Sequence, residues 1–266
     1  MNSRLENKLS NIQNKKAFSP FIMAGYPDYA TTLKVLHAVA DAGVDFIELG
    51  MPFTDPSADG PTIQAAGTAA LQAGATVKKT FELVREFRKT NTTTPLIWMG
   101  YYNPVYRYGV EAFCSDAVKA GIDGILLADL PPEEAIEITP HAEKHGLAMI
   151  YLITPATPLK RFDVILKNAS GFLYYVSITG ITGTQEAEAA RIRSHVLEIK
   201  KHTSLPVMVG FGINTPEQAK SITSFADGVI VGSALIKQMT TSPKDKMVED
   251  AKAFTARFVR GIASSC

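Results

Sequence analysis

Ala42-Gly-Val-Asp-Phe-Ile-Glu48, Ala120-Gly-Ile-Asp-Gly-Ile-Leu126 and Phe225-Ala-Asp-Gly-Val-Ile-Val231 are three versions of one local pattern. Each reads as the end of a helix, a turn made with Gly or Asp, and the start of an apolar strand. Outward from these, strand-like runs occupy Phe18–Met23, Val44–Leu49, Pro95–Met99, Gly124–Leu127, Ala148–Ile153, Phe172–Val176, Pro206–Val209 and Gly228–Val231. The runs are continuously apolar rather than alternating, as strands buried on both faces of a parallel sheet must be. Between them apolar residues recur at helical spacing over Ala30–Ala42, Thr62–Leu71, Val77–Lys89, Val110–Ala120, Pro132–Lys144, Leu159–Lys167, Ala187–Lys201 and Pro216–Ser224. A last helix is expected over about Lys244–Ile262. Eight runs, each followed by a helix, make the count of an α/β (β/α)8 TIM barrel. A doubly wound open sheet is the alternative, and it rarely needs eight such regular units.

No Gly/Ser-rich linker divides the chain, so residues 1–266 read as a single barrel domain. Residues 1–16 read as an extra N-terminal helix. Ser3 and Glu6 have capping-box spacing, and Leu5, Leu9 and Ile12 share a face suited to covering an apolar end of the barrel. Pro140, inside the expected Pro132–Lys144 helix, predicts a kink or an early end there.

Apolar residues make up 46% of the 266 and charged residues 20%, which suits a large buried core and excludes a disordered or collagen-like chain. A net charge of +1 provides no global field for nucleic acid or an anionic membrane, although a local anion pocket is still allowed. No apolar run reaches the ~18 residues needed to span a bilayer. The first ten residues are too polar for a signal peptide, and Cys114 and Cys266 make no disulfide framework. These features predict a reduced, cytoplasmic protein, with Cys114 a small apolar residue on a helix. The five histidines have no metal-ligand spacing, so neither a metal nor a redox cofactor is expected.

In a (β/α)8 barrel the chemistry sits at the C-terminal strand ends. The polar residues there are Glu48, Asp55, Asp59, Asn103, Asp129, Thr154, Ser177, Thr179, Thr182 and Ser233. Glu48 lies between Ile47 and Leu49, where an unpaired charge costs several kcal/mol. It is either a structural carboxylate tied to a partner or a general acid/base with raised proton affinity. Asp59 sits in a loop with three prolines and, taken alone, reads as a turn or N-cap residue. Gly-rich turns follow three consecutive strands: Gly180-Ile-Thr-Gly183, Gly210-Phe-Gly212, and Gly232-Ser233, which opens a helix. Backbone N–H groups at such turns and at a helix N-terminus can hold a phosphate without a lysine. Trp98 reads as core. Tyr101, Tyr102, Tyr174 and Tyr175 are aromatic surface near strand ends, either for a flat substrate or for packing.

Ile47-Glu-Leu-Gly-Met-Pro-Phe-Thr-Asp-Pro-Ser-Ala-Asp-Gly-Pro-Thr-Ile-Gln64 resembles the signature of the tryptophan synthase alpha chain family. The resemblance extends through Phe21–Asp28, Tyr101–Pro104, Ala128–Pro132, Tyr174–Gly183 and Gly210–Ile213, nearly the whole chain. Ser57 departs from it, standing where the family usually has a bulky apolar residue. The resemblance implies retro-aldol cleavage of indole-3-glycerol phosphate to indole and glyceraldehyde 3-phosphate. It implies a beta-chain partner, in an alpha2-beta2 assembly, which holds pyridoxal phosphate; this chain itself holds no cofactor. By the family's pattern Glu48 and Asp59 are catalytic, and Gly183, Phe211, Gly212, Gly232 and Ser233 hold the phosphate. Phe21, Tyr101, Asp129, Tyr174 and Thr182 match positions around the substrate or its closing loop. The alternatives are a free-standing lyase, another phosphate-binding barrel such as a sugar-phosphate isomerase, and a catalytically silent subunit. Two retained carboxylates argue against silence.

Overall fold

The structure, a computed structural model, describes residues 3–10, 12, 15–176, 185–210 and 212–263, with the backbone alone for residues 3 and 185–188. Eight parallel strands close into a barrel in chain order: β1 (Ala17–Met23), β2 (Ile47–Gly50), β3 (Leu96–Gly100), β4 (Gly124–Leu127), β5 (Ala148–Ile153), β6 (Leu173–Val176), β7 (Val207–Gly210) and β8 (Gly228–Val231). β8 closes on β1 with Ala17 opposite Gly228 and Pro20 opposite Val231. The helices are α1 (Ser3–Leu9), α2 (Tyr29–Asp41), α3 (Pro61–Gln72), α4 (Val77–Arg88), α5 (Tyr102–Tyr108), α6 (Val110–Ala120), α7 (Thr139–His145), α8 (Phe162–Asn168), α9 (Gln185–His202), α10 (Pro216–Thr223), α11 (Ser233–Thr241) and α12 (Met247–Ala263).

The continuous apolar runs are explained by two separate cores. Phe46, Ile97, Leu126, Ile150, Phe172, Met208 and Ile230 point inward and fill the barrel. Ile22, Leu49, Trp98, Ile125, Leu173 and Val229 point outward against the helices. Leu5, Leu9 and Ile12 join the inner set, so α1 and the turn after it close the barrel floor. Each such side chain contributes up to about 1.5–3 kcal/mol when fully buried.

The recurring Asp of the opening pattern has a structural role beyond its turn. Asp45 donates its N–H to the Phe18 carbonyl (3.0 Å) and accepts the Phe18 N–H on its carboxylate (3.0 Å). Asp123 does the same with Leu96 (2.8 and 2.8 Å), and Asp227 with Val207 (3.0 and 2.9 Å). Ser170 repeats the exchange on Met149 with its hydroxyl (2.9 and 2.9 Å). The entry to every even-numbered strand thus clasps the start of the strand before it. Each aspartate also holds a cation: Lys15 on Asp45 (2.8 Å), Arg4 and Arg88 on Asp123 (2.7 and 2.8 Å), and Lys200 on Asp227.

The structure corrects several sequence-based boundaries. The N-terminal helix covers only Ser3–Leu9; Ser10 turns out of it with its hydroxyl on the Asn7 carbonyl (2.9 Å), a bond that competes with the helical ladder. The Ser3 half of the expected capping box lies outside the described side chains. No long helix spans Pro132–Lys144: turns occupy residues 132–138, and α7 starts at Thr139. Pro140 therefore sits in a first turn, where its missing N–H is no loss. Leu159–Lys167 begins as a 3-10 turn over Leu159–Arg161, and the last helix starts at Met247 rather than near Lys244. The sequence reading missed α5, whose opening N–H, that of Tyr102, is held by Asp129 from the loop after β4 (2.8 Å).

Candidate active site

A cavity of about 250 Å³ opens at the C-terminal mouth of the barrel. β1 and β2 supply Phe21 and Glu48, which stand opposite each other in the strand register. β6 supplies Tyr174, and the turns after β7 and β8 supply Gly212, Gly232 and Ser233. Asp59 enters from the loop after β2, just before α3. Met99, Ile213 and Ile230 complete an apolar wall. Two glycines make room for the aromatic groups. A Cβ on Gly50 would fall 2.2 Å from the Phe21 ring, and one on Gly210 would fall 2.1 Å from the Tyr174 hydroxyl.

Glu48 is fully buried, and neither carboxyl oxygen has a hydrogen-bond partner among the described residues. Burial without a counter-charge pushes its pKa from 4.5 up to about 8, so it is held protonated at neutral pH. Asp59 is in a different setting. Burial raises its proton affinity, and the Tyr101 hydroxyl, donating to Oδ2 at 3.0 Å, offsets part of that rise. Burial raises the Tyr174 hydroxyl well above its ordinary value, with the charges of Glu48 and Asp59 adding to the effect. The cavity therefore pairs a proton-loaded carboxyl with a second carboxyl that has a hydrogen-bond donor of its own. Carboxyls held in unlike environments are what acid–base chemistry on one substrate requires.

On the other side of the cavity, α11 begins at Gly232 with no side-chain cap, leaving its N-terminal face toward the opening. Such a helix start is a binding site for an anion. Among the described residues no group of His, Cys, Asp and Glu could hold a metal ion, and no helix is long and apolar enough to cross a membrane.

Of the residues singled out from sequence, the fold brings Phe21, Glu48, Asp59, Tyr174, Gly212, Gly232 and Ser233 around this cavity. Tyr101 stands behind Asp59 rather than in the cavity wall. Asp129 is likewise off the wall, spent on the Tyr102 N–H. Asp55 is exposed beside Thr54, and Thr154 bonds within its own turn to Thr157. Tyr102 turns to Glu137 and Tyr175 to His195, both away from the cavity. Ser177, Thr179, Gly180, Thr182, Gly183 and Phe211 lie outside the described residues, as does Cys266. Trp98 is core, against Phe81 and Phe113, and Cys114 is buried on α6. Thr62, Ile63, Met99, Ile213 and Ile230 line the cavity without having been anticipated. Selecting only polar strand-end residues excluded the apolar ones; the inward parity shared with Ile97 points to Met99.

Comparison with known proteins agrees with this architecture over nearly its whole length. The family described as "Tryptophan synthase alpha chain" matches residues 8–262. The crystal structure of tryptophan synthase subunit alpha from Legionella pneumophila str. Paris is 41% identical, covers 99% of this chain and 99% of its own, and superposes with a TM-score of 0.93. The aminoacrylate-bound tryptophan synthase of M. tuberculosis is 33% identical over 97% of this chain and 99% of its own, with a TM-score of 0.86.

Proposed function

The chain belongs to the tryptophan synthase alpha chain family, whose reaction is the cleavage of indole-3-glycerol phosphate to indole and glyceraldehyde 3-phosphate, and on that premise we propose that Glu48 and Asp59 divide its acid–base work. The observation that carries the assignment is Glu48 itself: a fully buried carboxyl with no partner among the described residues, facing the same cavity as Asp59.

The bond to be broken joins indole C3 to the glycerol chain, and the electrons it releases must have somewhere to go. Protonated Glu48 delivers its proton to C3, and the ring nitrogen's lone pair compensates, leaving an indoleninium. Asp59 accepts a hydrogen bond from the ring N–H and stabilises the positive charge there. Glu48, now a carboxylate, takes the proton of the adjacent glycerol hydroxyl. That oxygen's electrons form the aldehyde C=O while the C–C pair returns to the ring as indole. One carboxyl acts first as acid and then as base, so no net proton is lost. A buried acid with a pKa near the working pH suits both roles.

On this reading Gly212, Gly232 and Ser233, which line the cavity, hold the phosphate, with the uncapped α11 N-terminus supplying N–H donors. Thr182, Gly183 and Phe211 join this reading on the family's pattern alone. Phe21 and Tyr174 supply aromatic surface to the cavity lining. The family works with a beta chain, and pyridoxal phosphate belongs to that partner's half of the pathway. We read residues 1–266 as one domain that assembles with it as alpha2-beta2 in the cytoplasm.

Glu48→Gln and Asp59→Asn test the assignment directly. Each is expected to lower kcat for indole release at least ~100-fold while circular dichroism stays parental. Near-parental turnover by either folded variant removes that residue from the mechanism.

A further inference from the structure

Tyr101 follows β3 and is 4% exposed, yet it does not line the main cavity. Its ring is tilted against Phe53, with centroids 5.2 Å apart. Its hydroxyl accepts the Ala58 N–H at 3.0 Å and donates to Asp59 Oδ2 at 3.0 Å. One oxygen thus binds two successive residues of the loop that carries Asp59. Oδ1 of Asp59 has no hydrogen-bond partner among the described residues. The backbone just beyond Tyr101 is itself fixed, because Asp129 holds the Tyr102 N–H at 2.8 Å. Ties therefore run from the loop after β4 to the loop after β3, and from there to Asp59 after β2.

We propose that Tyr101 is a positioning residue that acts on the reaction only through Asp59, tethering its loop at Ala58 and occupying Oδ2 so that Oδ1 is the oxygen presented to the substrate. The proposal rests on the reading of Asp59 as acceptor for the ring N–H. Without the hydroxyl, Asp59 can rotate about its terminal torsion, and the fraction of molecules with an oxygen correctly aimed falls. The same hydroxyl favours the ionised carboxylate against its burial, since a donor to a carboxylate stabilises the charged form. Asp59 is kept as an acceptor, and Glu48, which no donor among the described residues reaches, is kept as an acid.

The experiment is a cycle of Tyr101→Phe and Asp59→Asn, assayed by indole release across pH, with Tyr102→Phe as a control whose lost hydroxyl bonds Glu137 instead. Tyr101→Phe is expected to lower kcat/KM about 10- to 100-fold, the range of a hydrogen bond to a charged group. Its acid limb should move to higher pH by about one unit, because Asp59 loses its donor. In an Asp59→Asn background the same change should cost nothing further. The Tyr102→Phe control should leave rate and profile parental. An equal loss with and without the Asp59 carboxylate overturns the proposal and makes Tyr101 a direct substrate contact. A parental rate and profile for Tyr101→Phe, with Asp59→Asn inactive, also overturns it while leaving the role of Asp59 intact. Full activity of Asp59→Asn instead removes the premise itself.

Discussion

Asp45 and Glu48 lie three residues apart on one stretch of chain, both are buried, and the structure treats them in opposite ways. Asp45, at the barrel floor, has the Phe18 N–H and Lys15. Asp123 and Asp227, at the same level, are equally well supplied. Glu48, three residues further along towards the mouth, has no hydrogen-bond partner among the described residues. Both ends of the barrel therefore contain buried carboxyls, but among the described residues the floor aspartates have the donors and cations that make burial of the charged form tolerable, and Glu48 does not. A fully partnered carboxylate is a fastener and is chemically occupied. An unpartnered one keeps its proton and is available to a substrate. Tyr151 and Thr255 also bury an oxygen with no partner within hydrogen-bond geometry among the described residues, but theirs are neutral hydroxyls and neither lines the cavity. What distinguishes the site is a titratable group left free at an opening.

That contrast can be broken most severely at Asp123. Arg88 is only 11% exposed and would be left as a buried cation with no carboxylate. Asp123→Ala should therefore lose about 3–5 kcal/mol of stability, measured by urea unfolding, while the molecules that remain folded keep their kcat. Parental stability would mean that the floor aspartates are not fasteners.

Glu48→Gln should go the other way. The folded pKa of Glu48 is raised from 4.5 to about 8, so the folded state binds more protons than the unfolded chain between those values. Its contribution to stability is then fully present below pH 4.5 and is lost as pH rises towards about 8. The variant does not titrate, so it should be more stable than the parent by a few kcal/mol at pH 8, with the gap closing towards pH 4.5. Equal stabilities at both pH values would mean that Glu48 has an ordinary carboxylate environment.

Asp45→Ala should show the smallest effect, about 1–2 kcal/mol. The loss is mainly the buried Phe18 N–H left without its acceptor, because Lys15 is 53% exposed and its pair is screened by water and salt. Added salt should reduce the difference only slightly. A strong salt dependence would shift the role of Asp45 from backbone fastener to surface ion pair.

Much of this was legible in the chain because it depends on local repetition. The eight apolar runs, the helices between them and the Asp before β2, β4 and β8 are patterns of a few residues each. Glu48 could be found in the same way, as a charge inside an apolar strand. Its setting could not. A partnered Glu48 and a bare one look identical in sequence, because the partner of a buried group comes from far along the chain: Arg4 reaches Asp123 over 119 residues and Tyr101 reaches Asp59 over 42. The same reason explains α5, whose capping Asp129 lies 27 residues on, and the apolar wall of Met99, Ile213 and Ile230, which becomes a wall only on closure.

The sequence by itself determined a barrel of eight β/α units and a carboxyl at the end of the second strand, since periodicity and residue type are properties of short segments. Only the tertiary structure decided that Asp45 is fastened while Glu48 has no partner among the described residues, that Tyr101 bonds Asp59 rather than lining the cavity, and that β1, β2, β6, β7 and β8 meet at one opening. Whether a buried charge is neutralised, hydrogen-bonded or left protonated is decided by which distant groups the closed barrel brings within about 3 Å of it.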